Sequence, residues 1–269
     1  MRVAHEAPIS MFDEVQKVTD YDYCLVHLLD ESKTYEECFY RAKAMKREII
    51  LDNSIFELGH AYDKDLFKKQ IVQLEPTWYI IPDVLENAEM TVQNIKQWKS
   101  DVPGKKIGVV QGKSVADIIE CYREIVDHVD KVAISFDYGC FVDYEWFGNL
   151  PTKFHYYMYG RDALIHTMLR MNVIRKDKKH HLLGVGLPQE IASYQDYHWI
   201  DSIDTSNPVV AGIKGITYNK INGLEDKPSQ KLFTLINHEV TEEQREDILF
   251  NIRWFRNMAR KTIYQGGQL

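Results

Sequence analysis

The chain lacks most of the marks of metal and cofactor enzymes. Its four cysteines, Cys24, Cys38, Cys121 and Cys140, are scattered without a C-x-x-C pair. That argues against a structural zinc site or a disulfide framework and fits reduced thiols in a cytoplasm. No apolar run approaches the roughly 20 residues of a membrane helix. The opening Met1-Arg2-Val3-Ala4-His5-Glu6 has no apolar segment of the secretory type, so a cytoplasmic protein with no membrane partner is expected. Neither G-x-G-x-x-G after the first strand-like run nor G-x-x-x-x-G-K-[ST] occurs, against nucleotide-cofactor folds. No G-x-S-x-G elbow is present for a serine hydrolase. Metal-dependent barrel hydrolases want paired histidines at a strand end, whereas His27 stands alone and His180-His181 precedes a strand-like run. Cys140 has no evident histidine partner in sequence, so a thiol nucleophile is unsupported there. Repeats, linkers and low-complexity segments are missing too. So is a basic excess: the net charge is −7, no global footprint for nucleic acid. Local basic clusters do occur, at Lys43/Lys46/Arg47, Lys105/Lys106, Arg175–Lys179 and Arg253–Lys261. One such strip can still hold a phosphate backbone.

What the chain does have is alternation. Strand-like apolar runs cover Tyr23–Leu29, Glu48–Asn53, Trp78–Asp83, Lys106–Gln111, Lys131–Phe136, His181–Val185, Trp199–Asp204 and, more weakly, Ile213–Tyr218. Between them lie helical patterns. Val115, Ile118, Ile119, Tyr122, Ile125, Val126 and Val129 form one stripe behind a Ser114 cap. Val92, Ile95 and Trp98 mark a helix in Asn87–Val102, and Leu66, Ile71 and Leu74 one in Asp63–Glu75. A last helix of about Glu242–Lys261 starts at Thr241. Eight such units in 269 residues predict a single-domain (β/α)8 TIM barrel over residues 1–269; an open doubly wound sheet is the runner-up. Asn219–Ser229 reads as a long loop, and the aromatic-rich Phe141–Tyr159 as an irregular insertion over the barrel mouth.

Several runs stop at a polar group. Ile49-Ile50-Leu51-Asp52, Ile80-Ile81-Pro82-Asp83 and Ile200-Asp201-Ser202-Ile203-Asp204 end in aspartate, and Gln111 and Asp137 fall at two further strand ends. In a parallel barrel these ends converge on the catalytic face. Gly112 follows Gln111 and would let backbone approach a flat ligand. Gly184 and Gly186 flank Val185, and Phe56 lies where it can stack on a base. Singly, a strand-end Asp is as often a helix cap, Gln111 a surface residue, Phe56 core and a Gly-rich turn a packing device.

Together these residues resemble the tRNA-guanine transglycosylase family. His180–Pro208, with Leu183-Gly184-Val185-Gly186 and Asp201-Ser202-Ile203-Asp204, is similar to the family's Gly-Val-Gly turn and nucleophile segment. Leu51–Glu57 resembles its Thr-Asp-Ser-Gly-Gly-Phe-Gln motif, and Gly108–Gly112 its Gly-Ile-Val-Gln-Gly segment. The resemblance spans about residues 48–260. It implies Asp204 as nucleophile, Asp52 as general acid/base and Phe56 as stacking residue. Asp83 and Gln111 would pair with the base edge, and Gly112, Ser135, Phe136, Asp137, Gly184 and Gly186 would complete the base pocket. The family's zinc lobe is missing, Val209 and Val210 replace the arginines after its nucleophile, and Ile134–Gly139 replaces its glycine-rich base loop. These departures resemble the compact phage-type branch that places 7-deazaguanines into DNA. The resemblance therefore implies exchange of guanine for a 7-deazaguanine base without any cofactor, in DNA rather than tRNA. It would take place in the bacterial host cytoplasm if the chain is phage-encoded. A base-releasing glycosidase and a catalytically silent, nucleic-acid-binding subunit are the alternatives. Pairing with a second copy, or with a helper that opens the duplex, is compatible with all three.

Overall fold

The structure, a computed structural model, describes residues 1–99, 101–142, 148–219 and 223–260. Its frame is eight short strands: β1 (Arg2–His5), β2 (Asp22–Leu25), β3 (Ile49–Asp52), β4 (Trp78–Ile80), β5 (Lys105–Val109), β6 (Lys131–Ile134), β7 (Lys179–Leu182) and β8 (Ile200–Thr205). Every pairing is parallel, in the order β1-β8-β7-β6-β5-β4-β3-β2. Helices fill the connections and cover the outer face, so both faces of the strands are buried and their sequences read as apolar runs. The result is a single-domain α/β fold with a nearly closed barrel, as in (β/α)8 proteins. Among the described residues no helix is long and apolar enough to cross a membrane.

The eighth strand is not where the apolar pattern puts it. Ile213–Tyr218 forms no strand. Pro208 opens a helix at Asn207–Ile213, where its fixed φ suits the first turn. Val209, Val210 and Ile213 then pack on Ile248 and Ile252 of the helix Glu242–Ala259. The missing strand is β1, whose Arg2-Val3-Ala4-His5 is too short and too polar at its ends to stand out. It aligns Val3 with Ile203 and Ala4 with Asp204. The run Tyr23–Leu29 also divides, with a helix starting at Val26. Within Phe141–Tyr159, Lys153 begins an 18-residue helix to Arg170, and residues 143–147 lie outside the described ones. Leu66 is exposed, and Phe67 takes the inward position beside Ile71 and Leu74. Ser114 and Thr241 cap their helices as expected, each completing a reciprocal box with Asp117 and Gln244.

No ladder joins β1 to β2, and side chains close that seam instead. The Val3 N–H donates to the Asp20 carboxylate at 2.9 Å, and the His5 N–H to Thr19 Oγ1 at 3.0 Å. Thr19 Oγ1 returns a bond to the Val3 carbonyl at 3.0 Å. Asp20 is in turn clamped by Arg256 (2.6 Å) and Arg260 (2.7 Å) near the end of the last helix. These bonds hold the Asp20 carboxyl below its usual range against the opposing pull of burial. At the other side of the interior, ion pairs plug the barrel floor. Arg2 bonds Glu48 (2.5 Å) and Asp201 (2.7 Å), and fully buried Lys131 bonds Asp201 (2.8 Å) while lying 4.2 Å from the centre of the Trp78 ring.

Asp20→Ala leaves two arginines and a strand N–H without their acceptor. It should cost about 2–3 kcal/mol of unfolding free energy in urea titrations.

Candidate active site

Asp52, at the end of β3, is fixed by its own turn. Its Oδ1 accepts the Ser54 N–H at 2.5 Å, and Asn53 Oδ1 accepts the Ile55 N–H at 3.0 Å. Buried Ser54 sits at φ +59°, a left-handed conformation that costs a non-glycine residue energy and that local side-chain bonds sustain. The other carboxylate oxygen accepts the Tyr23 hydroxyl of β2 at 2.5 Å.

Asp204, near the end of β8, is only 5 % exposed. Its Oδ1 lies 2.9 Å from His181 Nε2 of β7, and the Gly184 N–H reaches both oxygens at 3.1–3.2 Å. Gly184 is required there: its φ is +56°, and a Cβ would fall 2.6 Å from the Phe136 ring.

The two acid assemblies touch. The Tyr23 and His181 rings lie 6.0 Å apart and 12° from parallel, although β2 and β7 are not neighbours in the sheet. Acids more than 150 residues apart in sequence are thus joined by one continuous set of contacts, Asp52–Tyr23–His181–Asp204. Burial pushes Asp52 up to about 7; the charges of Asp204 and Asp83 add to it, and the bonds from Tyr23 and Ser54 oppose it.

Asp83 and Gln111 also meet, but in a closed group. Asp83 is 1 % exposed; its oxygens accept Asn53 Nδ2 (2.8 Å) and Gln111 Nε2 (2.6 Å), while Gln111 Oε1 takes the Glu86 N–H (3.1 Å). The Gly112 Cβ position points at Asp117, 2.6 Å away. Its lack of a side chain thus lets the following helix pack close. The Ser135 N–H donates to the Tyr138 hydroxyl (3.0 Å), and Ser135 Oγ to Asp137 (2.8 Å). The Gly186 carbonyl accepts Asn207 Nδ2 at 2.5 Å.

A cavity of about 500 Å³ is lined by Phe56, Glu57, Phe136, Asp137, Phe154 and Tyr157, with Glu6, Lys153, Lys227 and Lys231 among its polar walls; Asp52, Asp83, Gln111 and Asp204 are not part of its lining. Phe56 meets Phe136 edge-on at 5.3 Å. Lysines lie over the rings: Lys231 4.2 Å from the centre of Phe56, Lys227 5.7 and 5.4 Å from Phe136 and Phe154, and Lys153 5.1 Å from Tyr157. Two further carboxyls join the acids. Burial pushes Glu57 up to about 8, with the Asp52 charge adding. Glu6 is driven well above its usual range by burial and by the charges of Asp204, Glu57 and Asp52. Burial also lowers Lys227, which faces Glu6, Asp204 and Asp137.

Sequence reading missed Glu6, Tyr23, His181 and the mouth lysines. His180 and His181, expected to precede a strand, lie inside β7, and Glu57 closes the motif that contains Asp52 and Phe56. Among the described residues no group of three or more His, Cys, Asp and Glu could hold a metal ion. No known family model matches this chain, and no curated protein matches it.

Because folding raises the Asp52 pKa from 3.8 to about 7, the folded state binds the extra proton between those values. Its stabilising contribution is complete below about pH 4 and lost as pH rises through about 7. Asp52→Asn should therefore be more stable than the parent by about 1–3 kcal/mol near pH 8, with the gap closing near pH 4, in denaturant titrations at the two pH values.

Proposed function

We propose that this protein is a nucleic-acid guanine transglycosylase that exchanges guanine for a 7-deazaguanine base, with DNA the favoured substrate and tRNA the alternative. The observation that carries this reading is the contrast between two acids at one barrel mouth. Both oxygens of Asp204 accept the Gly184 N–H and its Oδ1 also lies 2.9 Å from His181 Nε2, which leaves Oδ2 the less engaged of the two. Asp52 is raised to about 7, where it can hold or yield a proton near neutrality.

In the proposed reaction the target guanosine is flipped into the cavity. Asp204 Oδ2 attacks C1′ as the bond to guanine N9 breaks, and Asp52 gives its proton to the departing base. A glycosyl ester on Asp204 results, as in retaining glycosidases. The incoming 7-deazaguanine returns its N9 proton to Asp52, attacks C1′ and frees Asp204. Bonds and protons balance, and no cofactor is consumed. Asp83 suits recognition of the base edge, because Asn53 and Gln111 already offer it paired N–H donors of the kind that N1 and the exocyclic amine of guanine present.

A polyanion must approach a mouth that holds Glu6, Asp52, Glu57, Asp137 and Asp204. Lys153, Lys227 and Lys231 supply the opposing charge beside aromatic faces, a combination suited to a single strand.

Labelled guanine incubated with the protein and DNA or tRNA should enter the polymer, and Asp204→Asn should abolish entry while binding persists. Full activity in that variant would remove the nucleophile, release without entry would mean hydrolysis, and neither would mean a binding module. Replacing Lys153 and Lys231 together by alanine should reduce the slope of log Kobs against log salt by about 1–2, read by fluorescence anisotropy across a salt series.

A further inference from the structure

His181 is completely buried, and its two ring nitrogens face different partners. Nε2 lies 2.9 Å from Asp204 Oδ1 and Nδ1 2.9 Å from Ser202 Oγ. Ser202 Oγ in turn lies 3.0 Å from Lys131 Nζ, the ammonium that plugs the barrel floor. A register shift between His180 and His181 makes this possible, since it leaves Asp201 as an extra residue in β8. Asp201 and Ser202 can then both turn to Lys131.

The donors in this line follow from chemistry. An ammonium can only donate, so Ser202 Oγ accepts from Lys131. The Ser202 proton then has His181 Nδ1 as its acceptor. An accepting Nδ1 puts the ring proton on Nε2, aimed at Asp204 Oδ1. Ser202 also hydrogen-bonds Tyr21, whose hydroxyl donates to the Ile203 carbonyl and would take the Ser202 proton if His181 were an imidazolium. With the Ser202 proton on the His181 side, every bond runs in one direction, from the floor cation to the carboxylate.

We propose that His181 is a positioning residue for Asp204, set in its Nε2–H form by Ser202 and Lys131, which anchors Oδ1 and presents Oδ2 as the reacting oxygen. Its bearing on catalysis rests on the reading of Asp204 as nucleophile. While the ester persists the His181 N–H keeps its place, and as the ester breaks it meets the charge returning to Asp204. The other titratable and charged groups facing Asp204 are Glu6 after β1, Tyr21 and Tyr23 at β2, Asp52 and Glu57 around β3, Arg161 of the long helix and Lys227 of the mouth loop. None of these is altered in the variants below.

The test uses the whole protein labelled with 15N-histidine. The His181 ring should show a protonated Nε2 and a bare Nδ1 in the parent, with that preference lost in Ser202→Ala. In the exchange assay His181→Leu should lower kcat about 10- to 100-fold with KM changed less than about threefold, and His181→Gln, whose amide can donate to Oδ1, should recover part of the loss. A proton on Nδ1 in the parent, or full kcat in folded His181→Leu, would overturn the proposal. If His181→Leu does not fold, the parent and Ser202→Ala spectra and the His181→Gln kinetics decide. The spectra need no turnover, so an inactive protein with the expected tautomer would refute the transfer reading and leave the positioning of Asp204 standing.

Discussion

The structure turns on two rings that meet inside the barrel, Tyr23 of β2 and His181 of β7. An eight-stranded barrel has an interior just wide enough for side chains to fill, so groups from strands that are not neighbours must pack there. Here those groups are polar at their tips and flat in their bodies. The flat parts stack, while the tips hold Asp52 on one side and Asp204 on the other. A smaller pair would leave a void and separate the acids; a larger pair would force the wall apart. The separation of the two carboxyls is thus set by core packing, the most rigid part of such a fold.

The same interior carries an electrostatic cost. Burial raises Asp52, Glu57 and Glu6 and lowers Lys227, so each would be more favourably ionised in the unfolded chain. Stability must come from elsewhere. The floor supplies a compensated network in which Lys131, Asp201, Arg2 and Glu48 satisfy one another. The seam is held through Asp20. Opposite ends of one barrel therefore divide the work. One end holds fully paired charges, and the other keeps carboxyls whose protonation can change near neutral pH, where acid/base chemistry is most effective.

What sequence reading recovered follows from how each signal arises. β3, β5 and β6 are buried on both faces, so Ile49–Leu51, Ile107–Val109 and Val132–Ile134 show as apolar runs whatever surrounds them. The acids closing or following such runs could be listed for the same reason. β1 could not be found, because a strand with Arg2 at one end and His5 at the other owes its pairing to β8 and to the seam, both remote in sequence. Ile213–Tyr218 misled because β-branched residues favour strands on their own, while here the preceding helix buries its apolar side against the last helix. Tyr23 reads as one more strand aromatic, and the partners of its hydroxyl (Asp52 on the neighbouring strand) and of its ring (His181 across the barrel) show in no local pattern. Gly112 shows the limit from the other side. Its place after Gln111 could be read, but the direction of its missing Cβ, toward Asp117, is set by a helix packing angle that no local pattern encodes.

The proposed reaction poses a last physical problem, how an acidic protein of net charge −7 could offer its acids to an anionic strand. Distance and dielectric decide it. The acids lie in partly or fully buried positions, and Asp52 and Glu57, raised to about 7 and 8, carry reduced charge at pH 7. Lys153 and Lys231 lie in the open, on rings that a base can share. An approaching phosphate therefore meets positive charge within a Debye length, about 8 Å at physiological salt, before it meets the acids. Most of the remaining negative charge on the protein lies farther off and is screened. A local field of this kind outweighs net charge at the point of entry. Lys227 lies deeper, where its ammonium is balanced by Glu6, Asp204 and Asp137. Its charge offsets part of their mutual repulsion, and in the proposed reaction the two exposed lysines would be left to meet the strand.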